Sequence, residues 1–193
     1  MKNTAILTAS LFFTLATQAQ SNWAFDRSHS SVTFTIAHMV VSEVAGNFKE
    51  FNAEVKSEKP DFSDLNTTFT IQTSSVNTED ASRDEHLRGT DFFDAAKYPT
   101  IVFTSTNIKK VTDKKYTLTG TMLLHGVTKP ITWDLTYNGS IKDNKGTTHA
   151  GFKATTTIPR KDYSLSWNKT LDAGGVALGD DVPVTVHVEL TKK

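Results

Sequence analysis

The sequence predicts an all-β protein, an eight-stranded antiparallel barrel with one or two short helices. Three observations predict it. Apolar and polar residues alternate along most of the chain, the period of half-buried strands, in runs rich in Thr, Val, Ile and Phe. Turn signals separate these runs at short intervals. One stretch, Thr78 to Pro99, breaks the alternation and reads as helix or loop.

In chain order, Lys2 followed by the uncharged apolar run Ala5 to Ala16, with Thr17-Gln18-Ala19 after it, has the pattern of a secretory signal peptide. Residues 1–19 are expected to be removed, leaving one domain over 20–193. Asp26 to Ser31 predicts a turn or strand bend. Val32 to His38 alternates as the first strand, with Val32, Phe34, Ile36 and His38 on one face. Met39 to Ala45 is expected to hold a helical turn. Asn47 to Lys56 is the second strand, where Phe48 is out of step with Phe51, Ala53 and Val55; a bulge near Lys49-Glu50 would explain that. Thr67 to Thr73 is the third, with Phe69 and Ile71 facing together.

The interruption follows. Thr78 can cap a helix, Glu79, Asp80 and Asp84 suit its positive end, and Gly89 can close it. Asp91 to Ala96 offers a second turn before Tyr98-Pro99. This segment either covers a barrel end or is a surface connection with Phe92 and Phe93 tucked into the core. Thr100 to Asn107, Tyr116 to Leu124, Ile131 to Tyr137, Phe152 to Ile158 and Val182 to Leu190 supply five more strands. His125 to Pro130 and Asn138-Gly139 read as turns. Pro159 to Asp181, with Gly174, Gly175 and Gly179, is a long irregular stretch.

Closing eight strands removes sheet edges and leaves an interior just wide enough for side chains or one small ligand. Phe34, Ile36, Phe69, Ile71, Phe103, Leu118, Met122, Leu124, Trp133, Phe152, Val184 and Val186 fall in phase on the apolar faces. The pattern fits a packed sandwich core as well as a lined tunnel.

Composition excludes several functions. There is no cysteine, hence no disulfide, thiol catalysis or thiolate metal site. Charge is balanced at 21 basic and 21 acidic residues, without a basic stripe, so nucleic acid is not expected as a partner. Six histidines show no H-x-H or H-E-x-x-H spacing, and no metal is expected. No G-x-S-x-G occurs, and Asp26, His29 and Ser30 are neighbours on a bend, which rarely gives triad geometry. Arg83-Asp84-Glu85-His86-Leu87 is the densest polar cluster beside apolar residues. Arg83 and Leu87 would share a helix face, as a solvated face or as a lid.

Taken in series, the motifs resemble a known family. They are Trp23-x-x-Asp26-x-x-His29-Ser30-x-Val32-x-Phe34-x-x-x-His38, Gly46-x-Phe48, Arg83-Asp84-x-His86-Leu87 and Asp91-Phe92-Phe93-Asp94, then Tyr98-Pro99-x-Ile101-x-Phe103-x-Ser105-Thr106, Gly120-x-x-x-Leu124-His125-Gly126-Val127-Thr128-Lys129-Pro130, Arg160-x-Asp162-Tyr163 and Gly179-Asp180-Asp181-Val182. The series resembles the YceI-like family of polyisoprenoid-binding proteins. The resemblance implies a lipocalin-like barrel with a long apolar cavity and no established catalytic residue. It implies a periplasmic or secreted protein, often dimeric, that binds an isoprenoid quinone tail, a polyprenyl chain or a fatty-acid derivative. No cofactor is expected; transient membrane contact and a homodimer are. The expected lipid-contacting residues are the in-phase set above with His38, Phe48, Leu87, Phe92 and Phe93. His29, Arg83, Asp84 and His86 are expected near the mouth. The alternatives are an enzyme with His38, His86 and Asp84 meeting at that mouth, and a filled barrel acting as an interaction module.

Overall fold

A computed structural model describes residues 22–171 and 175–192. The expected signal peptide lies outside the described residues. The strands are β1 (Asn22–His38), β2 (Ser42–Phe48), β3 (Phe51–Lys56), β4 (Asn66–Gln72) and β5 (Val76–Asn77), followed by helix α1 (Ala81–Arg88). Then come β6 (Thr100–Lys110), β7 (Lys115–Leu124), β8 (Val127–Lys142), β9 (Thr148–Pro159) and β10 (Asp181–Lys192).

Eight of these form a closed antiparallel ring, in the order β1, β10, β9, β8, β7, β6, β4, β3 and back to β1. The eight expected strands are this ring, with two refinements. The second expected strand is broken into β2 and β3, which lie end to end along β1: Val32 to His38 pair with β2, and Trp23 pairs with Val55 of β3. The suspected bulge at Lys49-Glu50 is this break. Phe48 and Phe51 are both buried and cannot share one alternating strand. Ser75 satisfies the loosened backbone: Lys49 N–H donates to its carbonyl and Glu50 N–H to its hydroxyl, each at 3.0 Å. The two-residue β5 then edges β2.

Several local expectations are corrected. Asp26 to Ser31 is a bulge inside a 17-residue β1, where the register against β10 shifts. Met39 to Val41 forms a tight turn rather than a helical one, because Ser42 already pairs with His38. Asn138-Gly139 sits within β8 at a register shift. Thr78 does not cap α1. Asp80 does, its side chain accepting from Arg83 N–H at 3.0 Å. Asp91 to Ala96 makes successive turns instead of a second helix, with Phe93 N–H bonded to Leu87 O and Ala95 N–H to Arg88 O. Gly89 does end α1, in extended backbone. His125 and Gly126, both at positive φ (50° and 75°), make the two-residue hairpin that joins β7 to β8.

Two glycines mark close approach across the wall. A methyl group on Gly120 would collide with the Thr104 carbonyl and come within 2.6 Å of the Phe103 ring, and one on Gly46 would enter the Phe34 ring. Both rings occupy the space a side chain would take at these glycines, which only its absence permits.

The two barrel ends differ. At one, Phe62 is 1% exposed and wedged against Trp23, Tyr137 and Phe152 at ring distances of 4.9, 5.3 and 4.8 Å. At the other lie α1, the Met39–Val41 turn, the His125-Gly126 hairpin and residues 160–171 and 175–180.

Candidate functional site

The barrel is not filled. An interior cavity of about 440 Å³ runs between the strands, within the usual size of small-molecule sites. Phe34 and Ile36 of β1, Phe69 and Ile71 of β4, Phe103 of β6, Leu118, Met122 and Leu124 of β7, Trp133 of β8, Phe152 of β9, and Val184 and Val186 of β10 all line it. So do His38, Phe48, Leu87, Phe92 and Phe93. The period-2 alternation of each strand places them inside, as at Tyr116, Leu118, Gly120, Met122 and Leu124 of β7, where every second residue is buried.

Polar lining groups gather at the α1 end. Arg83 and Leu87, one helical turn apart, both face the cavity. The Arg83 guanidinium is held by Thr78: Nε donates to its Oγ at 2.7 Å and Nη2 to its carbonyl at 2.9 Å. His86 Nε2 lies 3.0 Å from Asp91 Oδ2. Its ring meets Phe92 and Trp167 edge-on at 5.0 and 5.3 Å. Among the described residues, the His38 side chain has no hydrogen-bond partner.

Two members of the expected polar cluster lie elsewhere. Asp84 is 5% exposed and does not line the cavity. It accepts from Thr78 N–H and Oγ–H at 2.8 and 2.6 Å, a structural clamp on the start of α1. His29 is exposed and does not line the cavity; it sits at the β1 bulge with Nδ1 2.9 Å from Asp26 Oδ2. Hydrogen bonds from Ser28, then from His29, draw the Asp26 pKa down to about 2, and Asp26 in turn raises that of His29. Asp26, His29 and Glu189 bring ligand-type atoms within 4.8 Å of one another, a convergence that spacing along the chain does not reveal. Glu189 is already engaged by His149 Nδ1 at 2.7 Å, and His149 Nε2 lies 3.3 Å from Asp143. These bonds raise the His149 pKa, Glu189 contributing most.

The 160–180 segment supplies what sequence reasoning missed. Arg160, Leu165, Trp167, Ala177 and Leu178 all line the cavity. Arg160 is 4% exposed. It donates to the carbonyls of Gly179 (2.8 Å), Leu165 (2.6 Å) and Trp167 (2.8 Å) and faces Asp180 at 3.4 Å. Burial lowers its pKa and Asp180 opposes that. The buried Arg160 guanidinium thus holds the described residues of this segment over the barrel end, with the Asn168 amide bonded both ways to Leu178. The Arg160-x-Asp162-Tyr163 and Gly179-Asp180-Asp181-Val182 motifs were its signals in the sequence.

A closed antiparallel barrel around an apolar cavity, with one end plugged and the other capped by a short helix, defines a lipocalin-like architecture. Within that architecture the chain belongs to the YceI-like family: residues 23–190 match the YceI-like domain. The UPF0312 protein SA2479 of Staphylococcus aureus strain N315 is 38% identical over 172 residues, 89% of this chain and 98% of the relative. The crystal structure of a Campylobacter jejuni YceI protein is 34% identical with a TM-score of 0.71, covering 82% of this chain and 90% of that one. Burkholderia cenocepacia BcnA, 24% identical, has the same fold, with a TM-score of 0.74 over 86% of this chain and 98% of that one. So does a polyisoprenoid-binding domain from Saccharophagus degradans implicated in plant cell wall breakdown, 16% identical, with a TM-score of 0.63 over 91% and 100%.

Proposed function

We propose that the protein binds the apolar chain of an isoprenoid or other long-chain amphiphile inside the barrel and carries or stores it, rather than transforming it. The cavity of about 440 Å³, walled by aliphatic and aromatic side chains, is the observation that supports this most directly. Fold kinship with a polyisoprenoid-binding domain points the same way.

The volume bounds the cargo. A cavity of this size suits one drug-sized ligand or a single apolar chain, and a tail longer than the barrel would protrude. The polar end belongs at the α1 mouth, where Arg83, His86 and His38 offer a cation and two imidazoles. The other end is closed by Phe62 and its ring partners. Each buried methylene is worth about 0.8 kcal/mol against water. Against a membrane, where the chain is already dry, the gain is small, which suits reversible loading.

The leader pattern supports export, so the proposed compartment is the periplasm or the exterior, and a homodimer is the proposed assembly. Native mass spectrometry of protein purified from its own compartment, followed by lipid extraction, tests the proposal. The expected result is a stoichiometric adduct that releases a long apolar chain on extraction. Protein that is empty, and that takes up no long-chain lipid on incubation, would overturn it.

A further inference from the structure

The β1–β2 turn is built from Met39, Val40 and Val41, which are 43%, 81% and 86% exposed. Turns of this kind ordinarily use Gly, Asn or Asp, because the backbone must enter the left-handed region. Here Met39 and Val40 occupy it, at φ 52° and 64°. For a β-branched valine that is a strained conformation. The chain therefore keeps apolar side chains in water at a position where a polar turn would fold more easily. A second exposed apolar residue stands on the adjoining segment. Met39 N–H donates to Ala177 O at 2.9 Å, His38 bridges to Leu178, and Val176 is 44% exposed.

The location gives these residues a meaning. His38, Val44, Ala177 and Leu178, which flank the turn in both segments, line the cavity. Met39, Val40, Val41 and Val176 thus continue its apolar wall outward as a rim. The turns at the far end differ: Asp143 to Thr147 is polar and hydrogen-bonded within itself, and the β6–β7 turn exposes a single apolar residue, Val111.

We propose that this rim inserts into a lipid bilayer and holds the cavity mouth against it while cargo passes. A second copy of the chain is the competing occupant, but four side chains at one tip fall far short of the roughly 800 Å² per partner that stable protein interfaces bury. A bilayer asks for no such area, since a few apolar side chains entering the headgroup boundary suffice. The charge nearby decides which bilayer. The turn carries no basic residue and is followed by Glu43, and the exposed cation beside the rim is Lys169, whose carbonyl accepts from Ala177 N–H at 2.8 Å. The two charges offset each other, so contact is with zwitterionic lipid, driven by burial and only weakly dependent on salt.

The inference rests on the lipid-holding function proposed above, and the experiment separates the two. The protein is floated with phosphatidylcholine vesicles at low and high salt, and transfer of a fluorescent long-chain fatty acid between vesicles is timed. Uptake of a water-soluble ten-carbon analogue in vesicle-free buffer is measured separately. The parent protein should float at both salt concentrations. Val40→Asp/Val41→Asp should lose flotation and slow transfer about tenfold or more, with uptake in buffer unchanged. Met39→Asn/Val40→Gly gives the two left-handed positions the residues their backbone prefers; it should also lose flotation while melting at a higher temperature than the parent, which excludes misfolding as the cause. Flotation equal to the parent in both variants, or a parent that takes up the analogue but never floats, overturns the membrane rim. Conversion of a dimer to a monomer by either variant makes the rim a protein interface and overturns it equally. Flotation without uptake in buffer would instead sink the cavity function and leave the rim standing.

Discussion

Met122→Trp separates a cavity that holds cargo from a core that merely packs loosely. Met122 is 2% exposed, sits on β7 opposite Phe103, and lines the cavity. Tryptophan in its place adds roughly 60 Å³, about two water volumes. With about 440 Å³ of open space the apo protein can absorb that. Its melting temperature should then change by less than about 2 °C. In a filled core the same enlargement would overpack and cost about 1–3 kcal/mol, lowering the midpoint by about 2–4 °C per kcal/mol for a protein of this size. The effect on cargo runs the other way. Displacing two methylenes at about 0.8 kcal/mol each weakens a chain that fills the cavity by about 1.6 kcal/mol, close to fifteenfold. A chain several carbons shorter keeps its affinity. Calorimetric titration of sixteen- and ten-carbon fatty acids, with apo melting curves, reads all three quantities. Unchanged affinity for the long chain, or an apo midpoint lowered by more than about 6 °C, would refute the reasoning at this position.

Three further outcomes follow from the geometry. Gly120→Ala should destabilise by about 1–3 kcal/mol in urea unfolding, because its methyl meets the fixed Thr104 carbonyl as well as the Phe103 ring; a neutral result would mean the strands are not that close. Arg160→Ala should lose about 2–4 kcal/mol by stranding the carbonyls of Leu165, Trp167 and Gly179, and amide exchange in 160–180 should speed up; unaltered exchange there would count against the clamp. At the β1 bulge, the Asp26 pKa is depressed, so its contribution is present above the unfolded value of 3.8 and lost as pH falls through about 2. The His29 pKa is raised, so its contribution is complete below 6.5 and lost as pH rises through the folded value above that. NMR titration should find His29 above 6.5 in the parent and back near it in Asp26→Asn; an identical titration in both would disprove the pairing.

The strand faces were legible because period 2 is local. Leu118, Met122 and Leu124 need only their own β7 to declare which side is in. Whether the inside is full was not legible, since Phe34 and Phe103 give the same alternation in a packed core and around a void. Their rings lie over Gly46 and Gly120, a relation between strands that no single strand announces. The polar site was half legible. Arg83, Leu87 and His86 share a short helix whose spacing sets a face. Asp84, one residue from Arg83, turns inward to Thr78 instead, and His29 follows the β1 bulge away from the cavity. Arg160 and Trp167 were hidden because nothing periodic marks the 160–180 segment. Its described residues are held by side chains, the Arg160 guanidinium and the Asn168 amide, that gather carbonyls from across the segment, which is a tertiary effect.

The ring is sealed where the first strand meets the last: Ala24 pairs with Thr191 and Phe34 with Val184. The β4–β6, β9–β10 and β1–β3 walls close wider loops, but the other walls of the barrel join strands that follow each other closely in the chain and can zip as they are made. The seam cannot, because β1 must wait for β10, at the greatest loop-closure entropy the chain can incur. Until then the apolar interior is an open sheet with two free edges, the state most exposed to pairing with other chains. Folding should accordingly be slow, in the millisecond-to-second range of non-local β topologies. The cavity is therefore the last thing to come into being, and cargo has no container before the final strand docks. Once it has docked, Ala24 and Thr191 lie side by side on paired strands, so a short linker could join the first and last strands there and the barrel be reopened at the polar Asp143–Thr147 turn without disturbing the mouth.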